Sequence, residues 1–502
     1  MKLKLPSSVQ NWLTLFGVTI VLISSFMIIF LFAITIILGE HATYLGLITY
    51  ILLPSVLIVG LILIPLGMII KIRKEHKLGI RPKYGWPIID LNDFRHRNAF
   101  FIFSVGTVIF LFLSTIGSYE AYHYTESVQF CGKLCHSVMK PEFTAYQNSP
   151  HARVSCVECH VGPGANWYVR SKLSGLYQVY AVLADVYPRP IPTPIENLRP
   201  AREVCEQCHW PKKFYAHKLR LKIHYLPDEY NTRWDTRLIM KIGSELPAHG
   251  FKEGIHWHIN PTVKVEYAAT DSAREIIPWV RFSNLETGEV RIYEDENNPM
   301  ELGQLEQLEI RTMDCMDCHN RPSHSYRSPS LFINTAITAG DIPVELPEIK
   351  AVAVELCGED YSTTQEAMEK IQSSTHEFYQ ENYPEIYNNK KDLIEEAVEG
   401  IQKYFSQNIF PEMKVKWNAY PNHIGHLEFN GCFRCHTDTH KTKNGEIIRK
   451  DCNLCHIISA QGTPDNMEIA NLGEALEFNH PEDIDDAWKE EFCTNCHTGL
   501  NP

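Results

Sequence analysis

The chain has 502 residues and a formal net charge of −13, long enough for about three domains of ordinary size. The charge is uneven: residues 1–118 hold ten Lys/Arg against four Asp/Glu (+6), and the remainder holds 37 against 56 (−19). So acidic a bulk argues against a nucleic-acid partner.

Trp12 to Leu38 is an apolar run without a charge, Tyr44 to Ile70 is a second, interrupted by Pro54 and Pro65, and Ala99 to Gly117 is a third. Each is long enough to cross a bilayer core as helix, which takes about 20 residues. The first run exceeds the apolar region of a cleaved leader and lacks a small-x-small cleavage site, so it reads as a retained anchor. Lys2 and Lys4 precede it, Gly39–Thr43 has no Lys or Arg, and residues 71–98 hold eight. The positive-inside rule then puts the N-terminus and the 71–98 loop in the cytoplasm, with the third span leading out to the periplasm.

Thirteen residues after that span begins a series of cysteine–histidine motifs. The first, Cys131-Gly-Lys-Leu-Cys135-His136, has three residues between its cysteines. Six regular C-x-x-C-H copies follow: Cys156/Cys159/His160, Cys205/Cys208/His209, Cys315/Cys318/His319, Cys432/Cys435/His436, Cys452/Cys455/His456 and Cys493/Cys496/His497. In this motif two cysteines form thioethers to haem vinyls and the histidine binds iron from one side. Structural zinc would pair cysteines at finger spacing and does not require a histidine after each second cysteine; a disulfide framework has no use for those histidines. The expectation is seven covalent haems c, attached outside the bacterial cytoplasm, with the acidic part in the periplasm. Fourteen of fifteen cysteines are used in this way. Cys357 is left over and reads as a half-buried thiol.

Between the motifs the pattern changes several times. Trp167 to Leu183 is an amphipathic helix that could lie along the bilayer surface or pack on haem. Residues 218–310 alternate apolar and polar around the turn Asn284-Leu-Glu-Thr-Gly-Glu289, the mark of a small β insertion. Residues 361–408 have apolar positions at helical spacing. From Trp417 onward three motifs fall in polar loop. The expected fold is mixed: three transmembrane helices plus a loop-rich multihaem periplasmic region with a small β insertion. The expected domains are a membrane domain at 1–118, a tetrahaem domain at 119–330 with its insertion at about 218–310, a helical connector at 331–416 and a trihaem module at 417–502.

Electron-transfer haems usually have two protein ligands. Thirteen histidines from residue 123 onward remain after the seven motif histidines are set aside. The expected distal ligands are His151, His324, one of His256 or His258, His426, His440 and His480, each close to a motif or in a run of its own. His423 competes with His426, and His217, His224 and His249 compete more weakly. Met139, three after His136, is a candidate axial ligand at the first site.

The segment from Ala99 to His324 resembles the membrane-anchored quinol dehydrogenases of the NapC/NirT/NrfH family. The features that carry this are a span just before the first site, Ser149-Pro-His151 upstream of Cys156-Val-Glu-Cys-His160, and Cys315-Met-Asp-Cys-His319 with His324. The family's first site reads C-x-x-C-H-x-M, with methionine on the iron; here it is C-x-x-x-C-H-x-x-M. Lys172 stands where the family has a lysine in its quinol pocket, and Gln178 and Val179 stand where it has an acidic residue; the candidate quinol-site residues are Lys172 and Gln178. Three spans and three further motifs at the C-terminus make the whole similar to the seven-haem inner-membrane cytochromes of metal-respiring bacteria. The resemblance implies an inner-membrane quinol dehydrogenase that oxidises menaquinol and feeds periplasmic c-type cytochromes, with homo-oligomers left open. The rivals are a passive haem wire in a larger complex and a reductase of a small periplasmic substrate such as nitrite.

Overall fold

Uninterrupted apolar side chains leave the N-terminal segments no soluble solution but helix, since helix satisfies its own backbone donors and acceptors in lipid. In the computed structural model, residues 11–38, 48, 52–79, 90–133, 136–193, 199–210, 217–243 and 254–500 are described. Among them, three helices are long and apolar enough to cross a membrane. These are α1 (Trp12–Leu38), α2 (Leu53–Lys77) and α3 (Phe94–Thr125). The chain divides into two compact units, Met1–His136 and Ser137–Pro502.

In the first unit α1 and α2 pack closely because glycines line their seam. A Cβ on Gly17 would lie 2.9 Å from the Gly60 carbonyl oxygen, and one on Gly67 would lie 2.6 Å from Thr14 Oγ1. Small residues at a helix seam allow this approach, and Thr14 Oγ1 adds a hydrogen bond to the Ile64 carbonyl at 3.2 Å. None of the apolar window of α3 is buried, and its side chains from Phe100 to Ile116 are largely exposed, as a lipid-facing helix requires.

The second unit takes in α4 (His136–Gln147) apart from its first residue, and α5 (Ala165–Leu183). Its main core is helical: α6 (Pro329–Ala339), α7 (Ile349–Gly358), α8 (Thr364–Asn382) and α9 (Lys391–Asn408). The sequence spacing explains the packing. Ala367, Ile371, Thr375 and Tyr379 recur every four residues on α8, and Ile394, Ala397, Ile401 and Phe405 form the matching stripe on α9; all are fully buried. Thr363 caps α8, its Oγ1 accepting from the Glu366 amide at 3.1 Å. Cys357, expected half-buried, is fully buried in this core, on the same α7 face as Ile349 and Ala353.

Two antiparallel sheets complete the unit. In the first, β1 (His217–Tyr225) and β2 (Arg233–Lys241) join β8 (His456–Thr463) and β9 (Asn466–Ile469) in the order β1-β2-β8-β9. In the second, β3 (Val263–Ala268), β4 (Trp279–Asn284), β5 (Val290–Asp295), β6 (Ile310–Thr312) and β7 (His440–Lys441) run in the order β6-β3-β4-β5-β7. The inserted strands are therefore not self-contained, because each sheet recruits strands from the C-terminal segment expected as polar loop. β8 starts at a motif histidine, His456, which pairs with Met240.

Lys350 lies wholly buried in the helical core. Its Nζ donates to the Ser330 carbonyl at 2.7 Å and to Asn334 Oδ1 at 2.8 Å. Burial pushes this amine down to about 7. The folded state therefore holds the proton less tightly than the unfolded chain does, so this group makes stability rise with pH between the folded value and the ordinary lysine value. The expected gain from pH 7 to pH 9 is on the order of 2 kcal/mol. Denaturation midpoints at the two pH values should show it in the wild type and lose it in Lys350→Met; equal pH slopes would refute it.

Candidate haem sites

The regular motifs close short turns that gather their chemistry on one side. The amides of His209, His319 and His497 each bond back to the carbonyl of the first motif cysteine at 2.8 Å, and that of His436 does so at 3.1 Å. One helical turn thus sets both thiols and the imidazole together. At Cys315 the turn is capped on both sides: Asp314 accepts from the Met316 amide, and the Asp317 carboxylate accepts from the Asp314 amide at 2.6 Å.

The thiols differ in how far the fold encloses them. Cys156, Cys159, Cys205, Cys315, Cys318, Cys432, Cys435, Cys455 and Cys493 are half-buried, whereas Cys208, Cys452 and Cys496 are exposed. The Cys496 amide bonds back to the Cys493 carbonyl at 3.2 Å, so the motif turn is formed. The turn Cys493–Asn495 has no buried residue.

Each of the six regular motif histidines faces a second imidazole brought from elsewhere in the chain. Ring-centroid separations are 6.2 Å for His160–His324, 6.0 Å for His151–His209 and 6.3 Å for His256–His319. They are 5.9 Å for His258–His436, 6.2 Å for His426–His456 and 6.1 Å for His480–His497. Metal–imidazole bonds of about 2 Å on each side of an iron, plus half a ring each, give about 6 Å. The spacing fits a haem iron held between two histidines, with the two adjacent thiols placed for thioethers.

Second contacts support the same fit. A ligating histidine commonly donates its other ring N–H to a carbonyl or carboxylate, which fixes ring and tautomer. His151 Nδ1 meets the Pro322 carbonyl at 3.2 Å, His256 Nδ1 that of Ile242 at 2.8 Å and His258 Nδ1 that of Ile255 at 3.0 Å. His324 Nδ1 meets the Glu142 carbonyl at 3.0 Å and His480 Nδ1 that of Glu482 at 2.9 Å. In each, the backbone contact is made by Nδ1 and not by Nε2. Burial pushes His258 and His426 down to about 4 and lowers His160, His256, His319, His324, His436 and His456. Neutral imidazole is the form that binds a metal.

The structure brings both His256 and His258 to motif histidines, where one of the two was expected. They sit two apart in the turn Ile255–Ile259 and serve consecutive motifs. His440 is not one of these facing rings, although it lies close enough to His436 to act on it electrostatically. Its Nδ1 lies 2.8 Å from Thr437 Oγ1 and its Nε2 lies 2.7 Å from the Ile277 carbonyl, so both nitrogens are engaged in holding β7. His423 is likewise spent, with the Asp317 carbonyl at 3.2 Å and that of Ala273 at 3.1 Å. His217 and His224 lie in β1, and His249 lies outside the described residues. The His-x-His spacing was the visible signal for a doubled role: in a tight turn, neighbouring rings reach different partners.

Successive motifs are also neighbours in space. Cys205 and Cys315 lie close enough to act on each other. Cys159 with Cys208, Cys318 with Cys432, Cys432 with Cys455, and Cys452 with Cys493 lie close enough to interact electrostatically. The six regular sites thus follow one another in the order of the sequence.

At the first motif Cys131 is half-buried, Cys135 lies outside the described residues, and His136 opens α4, which also carries the half-buried Met139. On α5, Lys172 Nζ lies 4.9 Å from the Tyr168 ring centroid, and Gln178 Nε2 lies 3.4 Å from Ser174 Oγ. Six residues of helix turn these two side chains about 120° apart, so α5 does not gather them on one face. Leu173, Leu176, Tyr177, Tyr180 and Leu183 on this helix are exposed.

Comparison with known proteins agrees with this site chemistry. The N-terminal region of the NapC/NirT cytochrome c family matches residues 94–190. The chain is 44% identical over 489 residues to the cytochrome c-type protein ImcH of Geobacter sulfurreducens, covering 97% of this chain and 95% of that one. It is 29% identical over 111 residues to the cytochrome c-type protein NrfH of Wolinella succinogenes, covering 22% and 61% respectively. No solved structure matches. A membrane-anchored protein with covalently attached haem c, this chain belongs to the NapC/NirT family of electron-transfer cytochromes.

Proposed function

We propose that this protein oxidises menaquinol at the periplasmic face of the inner membrane and passes the electrons through seven haems c to periplasmic cytochromes. The observation that carries the reading is the unbroken succession of paired-imidazole sites, in sequence order, in a chain whose first motif follows an apolar membrane helix. The reading places the N-terminus and the 71–98 loop in the cytoplasm, from the Lys/Arg distribution. Each haem c supplies one iron that takes up and gives away a single electron.

The residues divide the work. The paired histidines exclude exogenous ligands at six irons, which favours relay over reduction of a small substrate. His256 and His258 in one turn hold two successive sites at a fixed spacing. At the first site Met139 is the candidate second ligand. The exposed apolar face of α5 lies in the lipid headgroups, and Lys172 donates a hydrogen bond to a quinol oxygen there. Quinol oxidation releases two protons with its two electrons, and Lys172 helps to hold that oxygen as the protons leave. At the last site the exposed Cys496 leaves the attachment turn open to solvent, and around that motif Glu482, Asp483, Asp485, Asp486 and Glu490 are exposed. This acidic rim suits a cytochrome with a basic patch that docks briefly.

The test is direct. Purified protein mixed with a menaquinol analogue should show haem reduction on a turnover timescale. Lys172→Ala should slow that step by about a hundredfold, the scale of a lost proton-handling group, while reduction by dithionite stays unchanged. If quinol leaves the wild type oxidised, the protein is a wire fed by another subunit; if Lys172→Ala matches wild type, the lysine has no part in the quinol site.

A further inference from the structure

One of the six facing imidazoles has a carboxylate beside it. Glu142 lies on α4, one turn after Met139. Its Oε2 lies 3.1 Å from His324 Nδ1, and its own carbonyl accepts from the same nitrogen at 3.0 Å. Arg321 Nη2 approaches the same carboxylate oxygen at 3.7 Å, with the Arg321 and Glu142 side chains 9% and 15% exposed. The Arg321 guanidinium lies beside two aromatic rings, 4.2 Å from the centroid of Tyr420 and 5.4 Å from that of Tyr326. Tyr326 is also buried, and Glu142 lies close enough to it to act on it electrostatically.

The neighbouring sites are built differently. His151, His258 and His480 meet backbone carbonyls through Nδ1. A carbonyl orients the ring, whereas a carboxylate also adds negative charge to it. The Nδ1 hydrogen bond of His324 goes to the Glu142 carbonyl, so the carboxylate acts on the ring through its charge. A buried charge acts through a lower effective dielectric than water. Arg321, whose Nε donates to the His324 carbonyl at 2.7 Å, offsets part of that charge.

We infer that Glu142 is a positioning residue that sets the reduction potential of the haem held by His160 and His324. The inference rests on the reading of that pair as the two axial ligands of one haem. The oxidised iron carries one more positive charge than the reduced iron, so the nearby carboxylate stabilises the oxidised form and lowers the potential.

The experiment is a spectroelectrochemical titration of the full-length, haem-loaded protein in detergent. In Glu142→Gln, which keeps shape and removes charge, one low-spin component should become easier to reduce by about tenfold in its one-electron equilibrium, or about 59 mV. The remaining components and the haem content should not move. Arg321→Gln removes the compensating cation and should shift that same component the opposite way, so a failure of one variant to fold leaves the other decisive. Wild-type potentials in a fully loaded Glu142→Gln, or a shift of the same sign in both variants, would overturn the inference. His324→Ala tests the underlying reading separately: if it leaves every haem low-spin, the axial pair itself is misassigned.

Discussion

Replacing Asp317 with alanine should cost about 3–5 kcal/mol of stability, the usual result of stripping one partner from a buried ion pair. The carboxylate is 1% exposed. It accepts from the Tyr267 hydroxyl at 2.6 Å, from Arg311 Nε at 2.8 Å and from the Asp314 amide at 2.6 Å, with Arg274 Nη1 at 3.4 Å. Truncation would leave two guanidinium groups and a buried phenol without their shared acceptor. Burial is the largest cause that pushes that phenol up, and it persists in the variant. The damage should also travel. The Asp317 carbonyl accepts from Arg434 Nη2 at 2.7 Å and from His423 Nδ1 at 3.2 Å, and Arg434 Nη1 donates to the Arg274 carbonyl at 2.8 Å. Arg434 stands inside the Cys432–His436 motif, so one residue of the fourth motif braces the fifth and the inserted sheet together. Denaturant titration followed in the Soret band, alongside a double-mutant cycle with Arg311, reads the effect. A surface pair offers the control: Lys441–Glu296 is 38% and 57% exposed, and Lys441→Ala should cost less than about 1 kcal/mol. An equally small cost at Asp317 would mean the network is incidental.

Features set by local pattern were legible in the sequence, and features set by long-range pairing were not. The membrane helices need only a run of apolar residues, so α1 begins and ends at the residues expected, Trp12 and Leu38. The helical stretch 361–408 announces itself by spacing, and α8 and α9 fall within it. The alternation at Leu219–Tyr225 marked β1, but nothing local said that β2 would pair with β8 more than two hundred residues later. The segment His456-Ile-Ile-Ser-Ala-Gln-Gly-Thr463 reads as polar loop because it starts on a haem motif and has few apolar residues on each face. It becomes a strand because β2 supplies the ladder. Histidine partners pose the same problem. Motif histidines are fixed by their cysteines, whereas a facing imidazole can come from any segment that folds back. His151 lies just before one motif yet faces the histidine of the next, and His324 follows the fourth motif yet faces the histidine of the second. Nearness in sequence therefore favoured His440, and the sheet claimed it.

His440 and His258 give the sharpest contrast between those two expectations. His440→Ala should leave every haem in its low-spin spectrum. The cost should be a structural one, of about 1–3 kcal/mol, as the Ile277 carbonyl loses its donor and β7 loses a brace. His258→Ala should instead remove one axial imidazole from the haem attached at Cys432 and Cys435. One haem of the set should turn high-spin, become open to a small exogenous ligand such as cyanide, and move in potential by on the order of 0.1 V, a modest part of the roughly 0.8 V that axial ligation spans. His256→Ala should do the same at the haem attached at Cys315 and Cys318, and the double variant should yield two such haems rather than one. The turn Ile255–Ile259 would then be the point where electron flow passes from the fourth site to the fifth, and slowed reduction of the last three haems by menaquinol should accompany the spectral change at His258. Magnetic circular dichroism of the variants separates these outcomes. A high-spin haem in His440→Ala with an unchanged spectrum in His258→Ala would reverse the assignment, and with it the idea that one turn fastens two consecutive sites.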